Sequence, residues 1–242
     1  MSRLLRVFAI ADLHLSGFSP KPMDIFGYQW HDHARKLREY WQQDVAPGDI
    51  VLIPGDISWA MTLHEARVDL EWIGALPGRK VLLRGNHDYW WGAIGRVRAA
   101  LPEGTEALQN DSVAYGGLLI AGTRGWTCPG SSSYEPGDER IYLRESERLA
   151  LSLRHAQRLR KPGQRLIGIM HYPPFNEKRE PSLFTDAWEQ AGAELVVYGH
   201  LHGVSADMVF EGTMRGVEYR MVASDYIGFK PRLLLEMERE DP

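Results

Sequence analysis

Five short apolar runs, each followed at once by polar residues, constrain the fold of this chain more than any other feature. The runs cover residues 7–11, 50–54, 81–83, 166–170 and 195–198. Short, almost wholly apolar runs bounded by turn residues are typical of strands that are buried on both faces. In open α/β sheets, ligands bind just beyond the carboxyl ends of such strands. The polar residues that follow the five runs are therefore expected to meet at one edge of the fold.

Segments of helical composition alternate with these runs. Helices are predicted over residues 31–45, 62–76, 90–101, 139–159 and 182–191. In the tail, apolar segments at 208–210, 217–222 and 233–235 are separated by turns with glycine or proline, which predicts antiparallel strands. Alternating strands and helices with a strand-rich tail predict an α/β fold with mixed sheets. Because no repeat or linker interrupts the pattern, we expect one domain over residues 1–242.

The composition is that of an ordinary globular protein. Of the 242 residues, 44% are hydrophobic, and 28 Lys and Arg against 32 Asp and Glu give a formal net charge of -4, so we expect no nucleic-acid partner. The single cysteine, Cys128, excludes a disulfide framework and a cysteine zinc site. Arg3 and Arg6 interrupt the apolar N-terminus, and no apolar run approaches roughly 20 residues. We therefore expect no signal peptide, no membrane partner and a cytoplasmic protein.

The polar residues behind the apolar runs share one chemistry, because they offer only oxygen and imidazole donors. They are Asp12, His14, Asp56, Asn86, His171, His200 and His202. Such donors suit divalent ions such as Mn, Fe or Zn. Seven donors exceed what one tetrahedral ion needs, whereas two ions that share a bridging carboxylate would use all of them. Paired ions of this kind occur in phosphatases and nucleases, where they hold a bridging water and neutralise phosphate oxygens.

These residues also stand in short motifs whose order resembles a known family. The motifs are Asp12-x-His14, Gly55-Asp56, Gly85-Asn86-His87-Asp88, His171 and Gly199-His200-x-His202. In this order they resemble the five-part signature of the calcineurin-like metallophosphoesterases. Each motif alone is short enough to arise by chance. All five in order, each behind a predicted strand and together spanning most of the chain, carry the resemblance.

The resemblance implies a fold, a metal centre and a general acid. The fold would be a four-layer α/β/β/α sandwich of two mixed β-sheets. The ligands of the first metal would be Asp12, His14 and His202, those of the second would be Asn86, His171 and His200, and Asp56 would bridge the two. Two divalent ions per chain (Mn, Fe or Zn) are therefore expected. His87 would stand beside the leaving group as the general acid.

Further residues near these motifs are candidates for the site. Asp88 is expected to orient the neighbouring His87, since a carboxylate commonly fixes an imidazole in this way. Arg124 and Trp126 follow the apolar segment 118–121 and are expected to reach the rim and bind substrate, together with Asn86. For Arg124, binding of phosphate and a salt bridge are both open. The turn-rich segment 122–138 is expected to be a loop, and whether it is a lid stays open.

The predicted function is that of a compact bacterial-type phosphohydrolase. The implied reaction is attack by a metal-bridging hydroxide on a phosphomonoester or phosphodiester of a small molecule or nucleotide. Gly55-Asp56 continues as Ile57-Ser58-Trp59 and lacks the arginine that protein serine/threonine phosphatases carry there, so a phosphoprotein substrate is not expected. A nuclease acting on DNA and a non-catalytic metal-binding scaffold stay as alternatives. A homo-oligomer is also left open.

Overall fold

A computed structural model describes residues 4–203 and 209–238 of the chain. In these ranges the strands are β1 (Leu4–Ala9), β2 (Ile50–Pro54), β3 (Arg79–Leu83), β4 (Thr105–Leu108), β5 (Ser112–Tyr115), β6 (Leu118–Thr123), β7 (Arg165–Met170), β8 (Leu195–Tyr198), β9 (Gly212–Met214), β10 (Val217–Met221) and β11 (Arg232–Glu238). The α-helices are α1 (His33–Asp44), α2 (Leu63–Gly74), α3 (Ile94–Ala100), α4 (Asp138–Leu159) and α5 (Leu183–Ala191). Two short 3-10 helices, Asp24–Phe26 and Tyr28–Trp30, precede α1.

The strands form two mixed sheets. The first sheet has the order β11-β1-β2-β3-β4, in which β1 to β4 are parallel and β11 is antiparallel. The second sheet has the order β5-β6-β7-β8-β10-β9, in which only the outer strands β5 and β9 are antiparallel to their neighbours. A parallel bridge between Ala11 and Ala223 joins the chain just beyond β1 to the chain just beyond β10. The carboxyl ends of the two parallel sets therefore meet at one seam.

Alternation of side chains along the strands builds three hydrophobic layers. Val7 and Ala9 of β1 belong to a cluster that contains residues of both sheets, whereas Phe8 of the same strand packs with α1, α2 and α3. In β7, Ile167 lies between the sheets, and Leu166 packs in a cluster with α4 and α5. Each sheet thus has helices on its outer face. This arrangement confirms the predicted four-layer α/β/β/α sandwich of two mixed β-sheets.

The five predicted helices correspond to α1 to α5. Two of these helices begin at residues with clear start signals. Thr62 caps α2 in a capping box with Glu65, and Ser182 caps α5 in a capping box with Thr185. Helix α3 begins four residues later than predicted, since residues 90 and 91 belong to a loop. None of the helices in the described ranges combines the length and apolar character that a bilayer crossing requires.

One predicted tail strand is wrong. Residues 217–222 and 233–235 coincide with β10 and β11, but Val209 and Phe210 lie outside any strand, and residue 208 lies outside the described ranges. The backbone oxygen of Phe210 accepts a hydrogen bond from the Tyr198 hydroxyl at 2.6 Å, and the Phe210 ring lies 5.2 Å from that of Phe175. These apolar side chains fill the core without strand pairing. The edge strand is instead β9, which pairs with β10.

Candidate metal centre

Four of the seven predicted donors occupy a backbone conformation that residues with a side chain rarely adopt. The φ angles are 60° at Asp12, 45° at His14, 51° at Asp56 and 73° at His200. Such conformations cost roughly 1–3 kcal/mol each, and they persist where the surroundings impose them, which happens most often at functional sites. Here the Asp12 amide donates to the Gly55 carbonyl at 2.9 Å, and the His14 amide donates to the Asp56 carbonyl at 3.0 Å. The loops after β1 and β2 therefore hold one another.

Glycines let these loops approach closely. A Cβ atom at Gly199 would lie 2.6 Å from the Cβ of Ala11 and would also collide with the Oδ2 of Asp12. A Cβ atom at Gly85 would collide with the backbone nitrogen and the Oδ1 of Asp56. The glycines in the Gly-His and Gly-Asn-His motifs are thus required by the contact between neighbouring loops.

The first donor set consists of Asp12, His14, Asp56 and His202. One ligand atom from each lies within 4.8 Å of those from the others. The Nε2 of His202 is 3.2 Å from the Nε2 of His14 and 3.3 Å from the Oδ1 of Asp12. The Nε2 of His14 is 3.8 Å from the Oδ2 of Asp56. Three of these residues are buried, and the His202 side chain is 29% exposed.

The second donor set consists of Asn86, His171 and His200, and it borders on Asp56. The Nε2 of His171 is 2.6 Å from the Oδ1 of Asn86 and 3.5 Å from the Oδ2 of Asp56. The rings of His171 and His200 are 5.0 Å apart. The same carboxylate oxygen of Asp56 therefore faces a histidine of each donor set. The structure brings all seven predicted donors together.

Two buried oxygens in this group test whether a metal would fit. The Oδ1 of Asp12 and the Oδ2 of Asp56 have no hydrogen-bond partner in the described part of the chain. An unpaired buried carboxylate oxygen is costly, and a cation would satisfy both. The remaining donors are imidazole nitrogens and an amide oxygen, a combination that suits Mn, Fe or Zn. The residues present therefore fit divalent metal ions.

Burial keeps three of the four histidines in the form that binds metals. Desolvation lowers the pKa of His171 to about 3, although a hydrogen bond to the Pro54 carbonyl opposes it. Desolvation and repulsion from His171 lower the pKa of His200 to about 3. The pKa of His14 lies well below its usual value for the same reason, burial, with the other histidines adding to it. At neutral pH these imidazoles are uncharged and have a free electron pair.

His202 and Asp56 behave differently. Burial by itself lowers the pKa of His202, but the carboxylates of Asp12 and Asp225 outweigh it and raise this pKa to about 10. Burial, together with repulsion from Asp12 and Asp88, raises the pKa of Asp56 to about 9. Both groups thus tend to hold a proton when no metal is bound. A divalent cation reverses this preference, because it favours the charged carboxylate and the neutral imidazole.

Sequence reasoning missed Asp225, which follows β10. Its Oδ1 lies 3.1 Å from the Nδ1 of His202, on the side of the ring opposite the donor set, and its Oδ2 accepts from the Gly203 amide at 2.9 Å. A carboxylate on the far nitrogen of a histidine fixes the orientation of the ring. The available signal was its position directly after the apolar end of a strand. His33 is buried, with its Nε2 3.3 Å from the His14 carbonyl.

His87 stands at the edge of the first donor set. Its backbone amide donates to the Oδ1 of Asp56 at 2.8 Å, and its half-buried ring lies 4.6 Å from that of Trp59. Trp59 also stacks on His14 with ring centroids 4.8 Å apart. The Nζ of Lys21 lies 3.2 Å from the centroid of the Trp59 ring. Burial, followed by repulsion from Lys21, lowers the pKa of His87. Sequence reasoning did not single out Trp59 or Lys21.

The prediction that Asp88 orients the His87 ring is wrong, because the Asp88 carboxylate has other partners. The Oδ1 of Asp88 accepts from the Ile57 and Ser58 amides at 2.9 and 3.1 Å and from the Trp90 indole at 3.0 Å, and its Oδ2 accepts from the Gly85 amide at 2.7 Å. The carboxylate is fully buried and ties the loop after β2 to the loop after β3. Neighbours in sequence need not share interaction partners, and here the Asp88 carboxylate accepts hydrogen bonds from backbone amides of the two loops.

Arg124 and Trp126 lie beside the second donor set. The Arg124 carbonyl accepts from the His171 and Tyr172 amides at 3.1 and 2.9 Å, while its guanidinium lies 3.3 Å from the buried Glu145, so the salt bridge left open by the sequence is present. The Trp126 indole donates to Asp138 at 2.8 Å, and its ring lies 4.9 Å from Tyr172. Both residues therefore support the loop that carries His171.

The loop predicted over 122–138 is shorter in the structure, because β6 extends to Thr123 and α4 begins at Asp138. The loop between them packs against the chain that follows β7. The Asn176 side chain donates to the Pro129 carbonyl at 2.9 Å, and the Ser131 hydroxyl donates to Glu177 at 2.8 Å. These contacts fasten the tip of the loop at two points. Thr127, Cys128 and Ser131 line a cavity together with His200, so the loop lies along one side of the second donor set.

A curated relative and two solved structures resemble parts or all of the chain. The Gene 66 protein of Mycobacterium phage D29 is 39% identical over 83 residues, which are 34% of this chain and 40% of that protein. The protein of unknown function AQ665 from Aquifex aeolicus has a TM-score of 0.51 at 14% identity, with 95% of each chain covered. The phosphopantetheinyl hydrolase PptH from Mycobacterium tuberculosis has a TM-score of 0.57 at 15% identity, with 97% of each chain covered. At such low identity these structures show a shared fold.

The family is shown by a match over most of the sequence. The family model described as calcineurin-like phosphoesterase matches residues 5–204. This range includes all five motifs and both donor sets. The chain therefore belongs to the calcineurin-like phosphoesterase family.

Proposed function

We propose that the protein is a phosphohydrolase that uses two divalent metal ions to cleave a phosphomonoester or phosphodiester of a small molecule or nucleotide. The observation that carries this proposal is the position of the Asp56 carboxylate. Its Oδ2 is buried, has no hydrogen-bond partner in the described ranges, and lies 3.8 Å from His14 and 3.5 Å from His171. One unpaired carboxylate oxygen that faces an uncharged histidine of each donor set is what a bridged pair of cations requires.

The ligands divide between the two ions as the donor sets divide. Asp12, His14 and His202 would hold one ion, Asn86, His171 and His200 would hold the other, and Asp56 would serve both. Bound divalent ions supply Lewis-acid chemistry, since they lower the pKa of water towards ~7 and neutralise charge on phosphate oxygens. Mn, Fe and Zn are the ions that these donors suit.

The chain itself supplies the proton for the leaving group. His87 borders on Asp56 and is held against the Trp59 ring, and it would donate its proton to the departing oxygen of the ester. Burial and the nearby Lys21 lower its pKa, which makes the protonated ring a stronger acid. Lys21 places a positive charge on the same rim and would attract the phosphate group.

Hydrolysis of two chromogenic esters tests the proposal. Protein freed of metal by a chelator is given Mn²⁺, Fe²⁺ or Zn²⁺ in turn, and cleavage of p-nitrophenyl phosphate and bis-p-nitrophenyl phosphate is measured. We expect metal-dependent cleavage of at least one ester, loss of activity to background in Asp56→Asn, and full activity in Asp186→Asn, whose carboxylate is exposed on α5. Preference for one ester would distinguish a phosphatase from a phosphodiesterase.

One further measurement on the same protein, DNA degradation, distinguishes the two alternative functions. Degradation of single-stranded DNA with Mn²⁺, without cleavage of either chromogenic ester, would favour a nuclease. Absence of hydrolysis of both esters and of DNA, with or without metal uptake, would contradict the proposal and favour a non-catalytic scaffold. Unchanged turnover in Asp56→Asn would contradict the role given to the shared carboxylate.

A further inference from the structure

Three arginines line a cavity beside the second donor set. Arg84 follows β3, Arg124 follows β6 and Arg148 lies on α4, and together they border a cavity of about 260 Å³. We call this space the arginine cavity. None of the three guanidinium groups has a part in the metal centre, and their convergence from three separate elements calls for an explanation.

The arginine cavity adjoins the metal centre through the backbone. Arg84 stands two residues before Asn86, so their Cα atoms lie at most about 7 Å apart. The Arg124 carbonyl accepts hydrogen bonds from the amides of His171 and Tyr172 at 3.1 and 2.9 Å. A substrate whose phosphate lies between the donor sets would therefore pass within reach of the cavity.

The charges in the arginine cavity do not balance. Glu145 is the one acidic residue among the described residues that line it. A single oxygen of Glu145, Oε1, lies 2.8 Å from Arg148 and 3.3 Å from Arg124, and Arg144 approaches the same oxygen to 3.8 Å. The Arg84 side chain has no hydrogen bond or ion pair within residues 4–203 and 209–238, and its Nε is buried without a partner. The cavity thus carries a surplus of positive charge.

The crowding of guanidinium groups has a cost that an anion would relieve. The guanidinium groups of Arg124, Arg144 and Arg148 all lie within 4 Å of the same Glu145 oxygen, so like charges are held close together. A buried donor without an acceptor is also costly. Guanidinium groups match the oxygens of phosphates and carboxylates with paired hydrogen bonds.

We propose that the arginine cavity binds a second anionic group of the substrate, a phosphate or carboxylate other than the phosphate that is hydrolysed. This inference rests on the proposed function and sharpens it. The substrate class becomes phosphate esters that carry a further anionic group. Arg84 is the principal binding residue, because its guanidinium has no acidic partner in the described chain.

Calorimetric titration of the metal-loaded protein with small phosphonates tests this inference without turnover. Methylphosphonate has one anionic group, phosphonoacetate adds a carboxylate, and methylenediphosphonate adds a second phosphonate. We expect at least one of the two larger ligands to bind about tenfold more tightly than methylphosphonate, the gain typical of hydrogen bonds to a charged group. Which of the two gains more identifies the anionic group that the cavity accepts.

Substitutions assign the gain to the cavity. Arg84→Gln is expected to abolish the preference and leave the affinity for methylphosphonate unchanged within about twofold, whereas Arg84→Lys keeps part of it because it keeps the charge. Arg148→Gln, at a side chain 38% exposed, provides a second variant if Arg84→Gln does not fold. Arg158→Gln is the matched control, since Arg158 is exposed on the same helix and lies outside the cavity.

The outcomes separate this inference from the proposed function. A preference that is equal in wild type, Arg84→Gln and Arg148→Gln would come from the metals alone and would overturn the role of the cavity. Equal binding of all three phosphonates by the wild type would overturn it as well. An arginine-dependent preference in a protein that hydrolyses neither chromogenic ester would support the cavity and contradict the proposed function.

Discussion

The two donor sets meet at Asp56, yet they differ in charge and in the groups that hold them. The first set contains Asp12, and its His202 is held between that carboxylate and Asp225. The second set has no carboxylate of its own within the described residues. Its His171 is held by the Pro54 carbonyl, and its His200 lies against the Tyr172 ring with centroids 4.0 Å apart.

This difference shows how one edge of a fold can provide two unequal sets of candidate metal ligands. The carboxylates around His202 raise its pKa to about 10, whereas burial lowers the pKa of His171 and His200 to about 3. The first set therefore carries negative charge that a proton or a metal must balance, and the second set is neutral. We expect the first set to bind a divalent cation more tightly, since charge attracts the ion over a longer range.

The largest expected effect separates chemistry from metal binding. His87 lies beside the first donor set, with its ring 5.7 Å from that of His14, but it belongs to neither set. Replacement by alanine should lower kcat about 10²–10⁴-fold through loss of the general acid, while the metal content is unchanged. Steady-state kinetics and metal analysis check this, with His64→Ala, an exposed histidine of α2, as the control. Loss of metal along with activity would contradict the assigned role.

In the metal-free protein, the response to pH should have opposite signs for His202 of the first donor set and for His171 and His200 of the second. For His171 and His200 the folded pKa of about 3 lies below the unfolded value of 6.5, so their contribution to stability falls as pH falls from 6.5 towards 3. For His202 the folded pKa of about 10 lies above 6.5, so its contribution is present below pH 6.5 and is lost as pH rises towards 10.

Urea unfolding of chelator-treated protein from pH 4 to pH 10 measures these contributions. His202→Gln should reduce the loss of stability on the alkaline side, and His171→Gln should reduce the loss on the acidic side. Both variants are compared with His64→Gln. If the two substitutions changed the free energy of unfolding equally at acidic and at alkaline pH, the proposed difference between the donor sets would be contradicted.

A smaller effect concerns metal affinity and one donor set alone. Asp225→Asn weakens the carboxylate that orients His202, and loss of such a partner typically costs about 10–100-fold in metal affinity. Calorimetric titration with Mn²⁺ should show this loss in the tighter of two binding steps only. The control is Asp186→Asn on α5. Equal weakening of both steps would show that the two sets are not independent.

The smallest effect concerns the loops rather than the ligands. Asp88→Asn replaces an acceptor that faces four donors and should lower the free energy of unfolding by about 1–3 kcal/mol. Because Asp88 makes no hydrogen bond to His87 in the described chain, the pH dependence of kcat in the folded variant should match that of the wild type. A shift of that pH profile would show that Asp88 takes part in proton transfer after all.

Short-range patterns in the sequence predicted an α/β fold with mixed sheets and the positions of the seven donors, whereas the four-layer arrangement was implied by the family resemblance. Apolar strands buried on two faces are visible as uninterrupted runs, and the residue after such a run lies at the carboxyl edge of a sheet. The same rule applies to Asp225, but its short strand β10 alternates buried and half-buried residues and gives a weaker signal. Val209 and Phe210 resembled a strand because their apolar character comes from core packing.

Other features depend on contacts that no local pattern contains. Lys21, between β1 and α1, contacts the ring of Trp59, which follows β2. Arg84, which follows β3, lines the same cavity as Arg148 of α4. For Asp88, a local pattern suggested a contact that the structure does not contain. Its position next to His87 suggested a shared role, but its carboxylate accepts from the backbone of two loops.

The claim that Asp56 unites the two donor sets is tested most directly by electron paramagnetic resonance of the protein loaded with Mn²⁺. The wild type should bind two ions per chain and give the spectrum of a magnetically coupled pair. Asp56→Asn should lose the coupled signal, whereas Asp186→Asn keeps it. A wild type that binds one ion, or two ions without coupling, would contradict a centre bridged by Asp56.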